Sequence, residues 1–147
     1  MVSELQEILR DAYTRERKLN LLYHVLIEDD GAESDQNCFF RKAHDDQQGD
    51  LALLLEINRK YGNDDIDPNL LEKVGEGFLQ LRSNRMDREA LVRQVLELES
   101  QLIETYKSSL RFLSADDQTR KLINRILTVK LVHKRDLMDN LKMFATS

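Results

Sequence analysis

The sequence predicts an all-α protein, one four-helix-bundle domain spanning residues 1–147. Three observations carry this. Four stretches of about 25 residues space their apolar side chains by three and four, the period of an amphipathic helix. The composition is 41% apolar and 33% charged with one proline and five glycines, which favours a soluble helix-rich fold over a sandwich or a disordered chain. Turn and capping signals separate the four stretches. A chain of 147 residues is also long enough to bury a core as one domain.

The first helix is expected from about Ser3 to Glu28, with Leu5, Leu9, Ala12, Glu16, Leu19, Tyr23 and Leu26 on one seam. It ends in "DDGAESD", where Gly31 breaks the pattern and Ser34 or Asp35 caps the next helix. The second runs from about Gln36 to Tyr61 through Phe39, Ala43, Asp46, Leu53 and Ile57, closed by Gly62. The third opens on Asp87 and runs to about Leu113, its seam reading Val92, Val95, Glu99, Leu102 and Tyr106. The fourth starts in "SADD", with Ser114 as cap, and reaches about Phe144 through Ile123, Ile126, Lys130, His133, Leu137 and Leu141.

The connections between helices one and two, and three and four, are short, so each pair is expected to form an antiparallel hairpin. The middle connection, "GNDDIDPNLLEKVGEGFLQLRSNRMD", is different. Asp67 and Pro68 start a short amphipathic helix over Pro68–Leu81, with Leu70, Leu71, Val74, Phe78 and Leu81 on one face. A 25-residue helix is roughly 37 Å long. The connection can travel back along that length, so the fold expected is two hairpins joined by one long crossover.

Composition also narrows the function. No run of 18 apolar residues occurs, so no membrane span is expected, and "MVSELQEILRDAY" has no apolar signal core. The single cysteine, Cys38, cannot form an internal disulfide, which fits a reducing cytoplasm. A net charge of -5 argues against a nucleic-acid partner. From Glu28 to Glu76 there are fourteen acids against five bases, and from Ala115 onward seven bases against four acids. Such polarity is chiefly that of solvated helix faces, and its sharper reading is an acidic surface meeting a basic one, within a bundle or between subunits; a homodimer or a protein partner is the assembly expected.

The seams of helices one and three each carry a glutamate with a tyrosine seven residues later, Glu16 with Tyr23 and Glu99 with Tyr106. A carboxylate on an apolar seam is costly unless paired or ligated. An offset of 83 maps Glu16 to Glu99, Tyr23 to Tyr106, Leu9 to Val92 and Leu19 to Leu102. An offset of 84 maps Phe39 to Ile123, Asp46 to Lys130, Gly49 to His133 and Leu53 to Leu137. The chain reads as a duplicated hairpin.

"RDAYTRERKLNLLY", "ALVRQVLELESQLIETYKSSL" and "VKLVHKRDLMDNLK" give the chain its resemblance to the ferritin-like (rubrerythrin-like) four-helix bundles, nearest the small bacterial stress-associated ferritin-like proteins. In catalytic members, two helices each give a glutamate and two each give a Glu-x-x-His pair, which together hold two iron or manganese ions. The resemblance implies Glu16, Glu99 and His133 as ligand positions. It places Lys130 where one bridging carboxylate would stand, Asp46 at the other, and Gly49 at the second histidine.

Lys130 can neutralise carboxylates as a metal ion would. Glu16, Asp46, Glu99, Lys130 and His133 are therefore expected to form a metal-free central polar layer, in a protein that is non-catalytic, structural or partner-binding and needs no cofactor. The alternative is an iron- or manganese-binding protein of storage or oxidase type, with Glu16, Asp46, Glu99 and His133 as ligands. Tyr23, Tyr106 and Asp50 stand next to this layer, the tyrosines as packing residues bonded through their hydroxyls and Asp50 as an outward-facing acid. His24 and His44 fall off the seams as partly exposed residues. Cys38 is expected in the core, and "GEG" at Gly75–Gly77 is too short for a phosphate loop.

Overall fold

A computed structural model of the chain describes residues 3–28, 34–67 and 88–145. These residues form four helices and, among them, no strand: α1 (Glu4–Glu28), α2 (Ser34–Lys60), α3 (Arg88–Leu110) and α4 (Asp117–Ala145). The expected crossover helix, Pro68–Leu81, and the Gly31 turn lie outside the described residues. No described helix is long and apolar enough to cross a membrane.

Three helix boundaries can be traced to their capping contacts. Ser3 and Gln6 form a reciprocal capping box, with Gln6 N donating to Ser3 Oγ at 3.1 Å and Ser3 N to Gln6 Oε1 at 2.8 Å. At the end of α2, Gly62 adopts φ 96°, a conformation that costs glycine nothing. Asn63 N then donates to Asn58 O and Gly62 N to Arg59 O, the paired bonds of a Schellman motif. Helix α4 is capped by Asp116 rather than Ser114: Thr119 N donates to Asp116 Oδ1 at 3.2 Å.

The Asp116 cap is also a tertiary anchor. Its carboxylate accepts Thr119 Oγ1 at 2.7 Å, pairs with Lys60 Nζ at 2.8 Å and accepts the Tyr61 hydroxyl. Lys60 first, then Tyr61 and Thr119, hold the Asp116 carboxyl well below the usual carboxylate range. On the α1 side, Arg10 pairs with Asp65 at 2.8 Å and Gln6 Nε2 donates to Tyr61 O at 2.7 Å.

Helix α1 packs on both α2 and α3, α3 packs on α4, and α2 meets α4 over a smaller area. The contacts run in opposite senses along the packed helices. Leu9 meets Asn58 where Glu16 meets Gln47. Arg15 meets Gln101 where Leu26 meets Arg88. Lys60 meets Thr119 where Asp46 meets His133.

The seams of α1, α3 and α4 are buried as their spacing implies, from Leu5 to Leu26, from Val92 to Tyr106 and from Ile123 to Leu137. Leu9, Leu54 and Ile123 fill the core toward one end, and Leu26, Phe40 and Leu137 toward the other. Helix α2 departs from expectation by one residue. Its buried positions are Phe40, Ala43, Gln47, Leu51, Leu54, Ile57 and Asn58, whereas Phe39 and Leu53 are only half-buried. That rotation leaves Cys38 exposed, not in the core.

Candidate functional site

The most polar part of the interior lies midway along the bundle. Glu16 from α1, Glu99 from α3 and Lys130 from α4 are each at most 1% exposed. Lys130 Nζ stands 2.8 Å from Glu16 Oε1, 2.9 Å from Glu16 Oε2 and 2.9 Å from Glu99 Oε1. One ammonium thus closes two carboxylates that face each other across the core.

Glu16 is held from two further sides. Tyr106 donates its hydroxyl to Glu16 Oε1 at 2.8 Å, and Gln47 donates to Glu16 Oε2 at 2.7 Å and to Glu16 O at 3.0 Å. Asn20 donates to Gln47 Oε1 at 3.2 Å and so fixes the orientation of that amide. Glu99 is held less completely. Its Oε2 lies 3.5 Å from His133 Nδ1, and neither atom completes a hydrogen bond. His133 Nε2 lies 3.2 Å from Asp46 Oδ2.

The electrostatics follow from this geometry. Burial by itself pushes the Lys130 ammonium down, but Glu16 and Glu99 outweigh it and hold the group above the ordinary lysine value. Burial would likewise raise Glu99, yet Lys130 and His133 keep its carboxyl below the ordinary value. For His133, burial is overcome by the Glu99 and Asp46 carboxylates, so its pKa is raised. Because its folded pKa lies above the unfolded one, His133 contributes stability below the unfolded histidine value that is lost as pH rises through the raised value.

Asp46 was expected inside the layer and lies at its rim: its side chain is 38% exposed and reaches the layer only through His133. Gly49, placed by the offset of 84 opposite His133, is exposed, with nothing within 4 Å of where a side chain would begin. The buried α2 position is Gln47, and Asp50 is not an outward-facing acid, for it is half-buried with Oδ2 enclosed and without a hydrogen-bond partner.

One offset of 83 relates α1 to α3 and α2 to α4 once the structure sets the register. Gln47 then maps to Lys130, Asp50 to His133, Phe40 to Ile123, Ala43 to Ile126 and Leu54 to Leu137. All of these are buried except Asp50. The six positions read Glu16, Gln47-x-x-Asp50, Glu99 and Lys130-x-x-His133, all polar. The sequence signal for Gln47 was available, because the 83-residue offset that pairs the glutamates also pairs it with Lys130.

The tyrosines differ in what they touch. Tyr106 bonds Glu16, whereas the buried Tyr23 hydroxyl has no partner. Tyr106→Phe is therefore expected to cost about 1.5–3 kcal/mol, since it removes a bond to a charged group, and Tyr23→Phe to be neutral or stabilising. Urea denaturation of the two variants beside the parent measures both.

Asp50 supplies a second expectation. Burial first, then the Glu16 charge, pushes its carboxyl up from 3.8 to about 6. A shift of that size corresponds to about 3 kcal/mol for an enclosed group, which solvent on its open side reduces to about 1–2 kcal/mol. Asp50→Asn is expected to stabilise the protein by that amount at pH 7. The gain fades as pH falls through 6 and is lost below the ordinary value of 3.8, where the native aspartate is protonated in both states. Melts at pH 7 and pH 4 check this.

Lys130 Nζ occupies the position between the two glutamates where a shared cation would sit. Among the described residues, no group of three or more histidine, cysteine, aspartate and glutamate side chains is arranged to hold a metal ion. The residues present do not fit the two-metal set that the resemblance implies. Comparison of the chain with protein-family models, with curated proteins and with solved structures returns no match.

Proposed function

We propose that the chain is a ferritin-like bundle of two antiparallel hairpins joined by a long crossover, in which an internal ammonium has replaced the metal ions. On this reading it is a non-catalytic, cytoplasmic structural or partner-binding module, and the resemblance adds a stress-associated setting. The opposed contact order along α1–α2, α1–α3 and α2–α4 supports the topology, because α2 and α3 must then run parallel. The 83-residue repeat supports descent from a duplicated hairpin with one ligand set per half.

The observation that carries the functional reading is the single Lys130 Nζ within 2.9 Å of both Glu16 and Glu99. A buried cation already bonded to both glutamates removes the charge that would attract a metal, and occupies the space for it. Self-association fits the outer face of α4, where Leu131, Val132 and Met138 are exposed.

The test is elemental analysis of protein purified after growth with added iron and manganese. The reading predicts far less than one equivalent of either metal. A stoichiometric iron or manganese ion that is lost in Glu99→Gln contradicts it and establishes the storage- or oxidase-type alternative.

A further inference from the structure

We propose that the cleft between α2 and α4, beside His133, binds a small primary ammonium ion carrying a short apolar tail. The inference goes beyond the reading of the central layer and does not depend on the role of Lys130.

The cleft follows from residue size. Helices α2 and α4 meet over a smaller area than the other packed pairs. Where the first half of α2 faces α4, the side chains are small: Ala43 on one helix, Thr128 and Val129 on the other. They leave a cavity of about 300 Å³, open to solvent on one side, and Phe39 and Val132 complete its apolar wall. That volume is at the lower end for ligand sites, which suits an apolar body of a few carbons.

The polar lining is mainly acidic. Asp46 enters the cleft from α2 and Asp136 from α4, one turn beyond His133. Their side chains are 38% and 36% exposed, so each carboxylate is partly stripped of water and still reachable. Asp46 Oδ2 faces His133 Nε2 at 3.2 Å. Asp136 Oδ1 has Arg135 Nη2 at 3.5 Å, too long for a firm bond. Both charges also act inward. Burial first, then Glu99, Glu16, Asp136 and Asp46, hold the Tyr23 phenol well above its ordinary pKa.

Charge balance selects the ligand. Glu16, Glu99, Asp46, Asp50 and Asp136 bring carboxylates to this part of the bundle. Against them, Lys130 is closed by the two glutamates, Lys42 is exposed at the rim, and His133 carries at most one positive charge. The excess is negative, so the cleft favours a cation and repels an anion. A primary ammonium has three N–H donors, enough for both aspartates and a water. Phe39 adds an aromatic wall, and ring faces attract cations. A metal ion is a poorer fit, because no metal-holding group of acidic, histidine or cysteine side chains occurs among the described residues.

The repeat supplies a comparison within the molecule. A second cavity of about 300 Å³ lies further along the α2–α4 seam, lined by Leu53, Glu56, Ile57, Lys60 and Leu122 among others. The 83-residue offset relates Phe39 to Leu122, Leu53 to Asp136 and Asp46 to Val129. Both aspartates of the first cavity thus have apolar counterparts. The second cavity instead holds Lys60, already paired with Asp116 at 2.8 Å.

The test is titration of hexylammonium chloride into the full chain carrying ¹³C at its valine and leucine methyl groups, with sodium chloride at matched ionic strength as the blank. The Val129 and Val132 methyls and the His133 ring protons are expected to shift with one-site saturation, while the Leu53 and Leu122 methyls stay in place. Hexanoate and hexan-1-ol are expected to bind at least about tenfold more weakly, since neither can make a charge-assisted bond to the aspartates. Asp136→Asn and Asp46→Asn, both partly exposed and close in size to the parent residue, are each expected to weaken hexylammonium about tenfold, the loss of one such bond. No saturable shift in the parent, equal binding of the alcohol or of hexanoate, or hexylammonium binding that survives both aspartate variants overturns the proposal. Shifts confined to Leu53 and Leu122 place the ligand in the second cavity and overturn it as well.

Discussion

Lys130→Met is expected to lower stability by about 3–5 kcal/mol at pH 7, the range for breaking a buried pair by removing one partner. Methionine fills nearly the same volume, so the loss is electrostatic rather than a cavity. Without the ammonium, Glu16 and Glu99 face each other in the core with no lysine between them. Two buried carboxylates at that separation cannot both stay ionised, so one takes up a proton near neutral pH. The folded variant then binds more protons than its unfolded chain, and stability recovers as pH falls. The parent behaves differently: the raised pKa of Lys130 means its contribution is fully present below the ordinary lysine value and is lost only as pH rises through the folded one. Chemical denaturation of both proteins at pH 7 and pH 5 reads this directly, the gap between them narrowing at the lower pH.

Lys130→Glu is expected to be worse than methionine in metal-free buffer, since it adds a third carboxylate where a cation stood. The protein should be largely unfolded at pH 7. It should be rescued by manganese(II) or zinc(II), because the variant regains a Glu-x-x-His pair with His133 opposite Glu16 and Glu99, and binding to the folded state alone adds stability. The check is a melt with and without manganese(II) beside Lys130→Met, which has no new ligand and should gain nothing. Rescue of both variants alike would place the metal elsewhere in the chain.

Helices α1, α3 and α4 were legible in sequence because their polar members, Glu16, Glu99 and Lys130, interrupt seams that are otherwise apolar at spacings of three and four. The layer could be read for the same reason: a charged residue on such a seam needs a partner, and the three partners lay on three different helices. Helix α2 was harder. Its middle reads "HDDQQGD", seven residues without an apolar one to mark which face turns inward. A register chosen on Phe39 and Leu53 sends Asp46 into the core. The structure chooses Phe40 and Leu54, which sends Gln47 there, so that an amide donates to Glu16 and no third carboxylate joins the two glutamates.

The same one-residue rotation accounts for Cys38, whose place in the core depended on Phe39 being fully inside. The start of α4 was ambiguous for a different reason. Ser114 and Asp116 are both good caps, and what decides between them is long-range. Lys60 and Tyr61 reach Asp116 from the end of α2, and no local pattern could show that. The orphaned atoms around Glu99, namely its own Oε2, His133 Nδ1 and Tyr23 OH, likewise have no sequence signature. The repeat would assign Tyr23 to Glu99 as Tyr106 is assigned to Glu16, and the two halves differ here.

The central claim is that Lys130 is a permanently charged ammonium bonded to Glu16 and Glu99 in place of a metal ion. Nitrogen-detected NMR of protein carrying ¹⁵N at the lysine side chains addresses it at one atom. The account predicts one ammonium signal in slow exchange with water, absent from Lys130→Met, that stays protonated while the surface lysines titrate and is unchanged by iron(II) or manganese(II). A Lys130 resonance that titrates with the surface lysines, or that broadens or disappears as a stoichiometric metal ion enters between the glutamates, would contradict it.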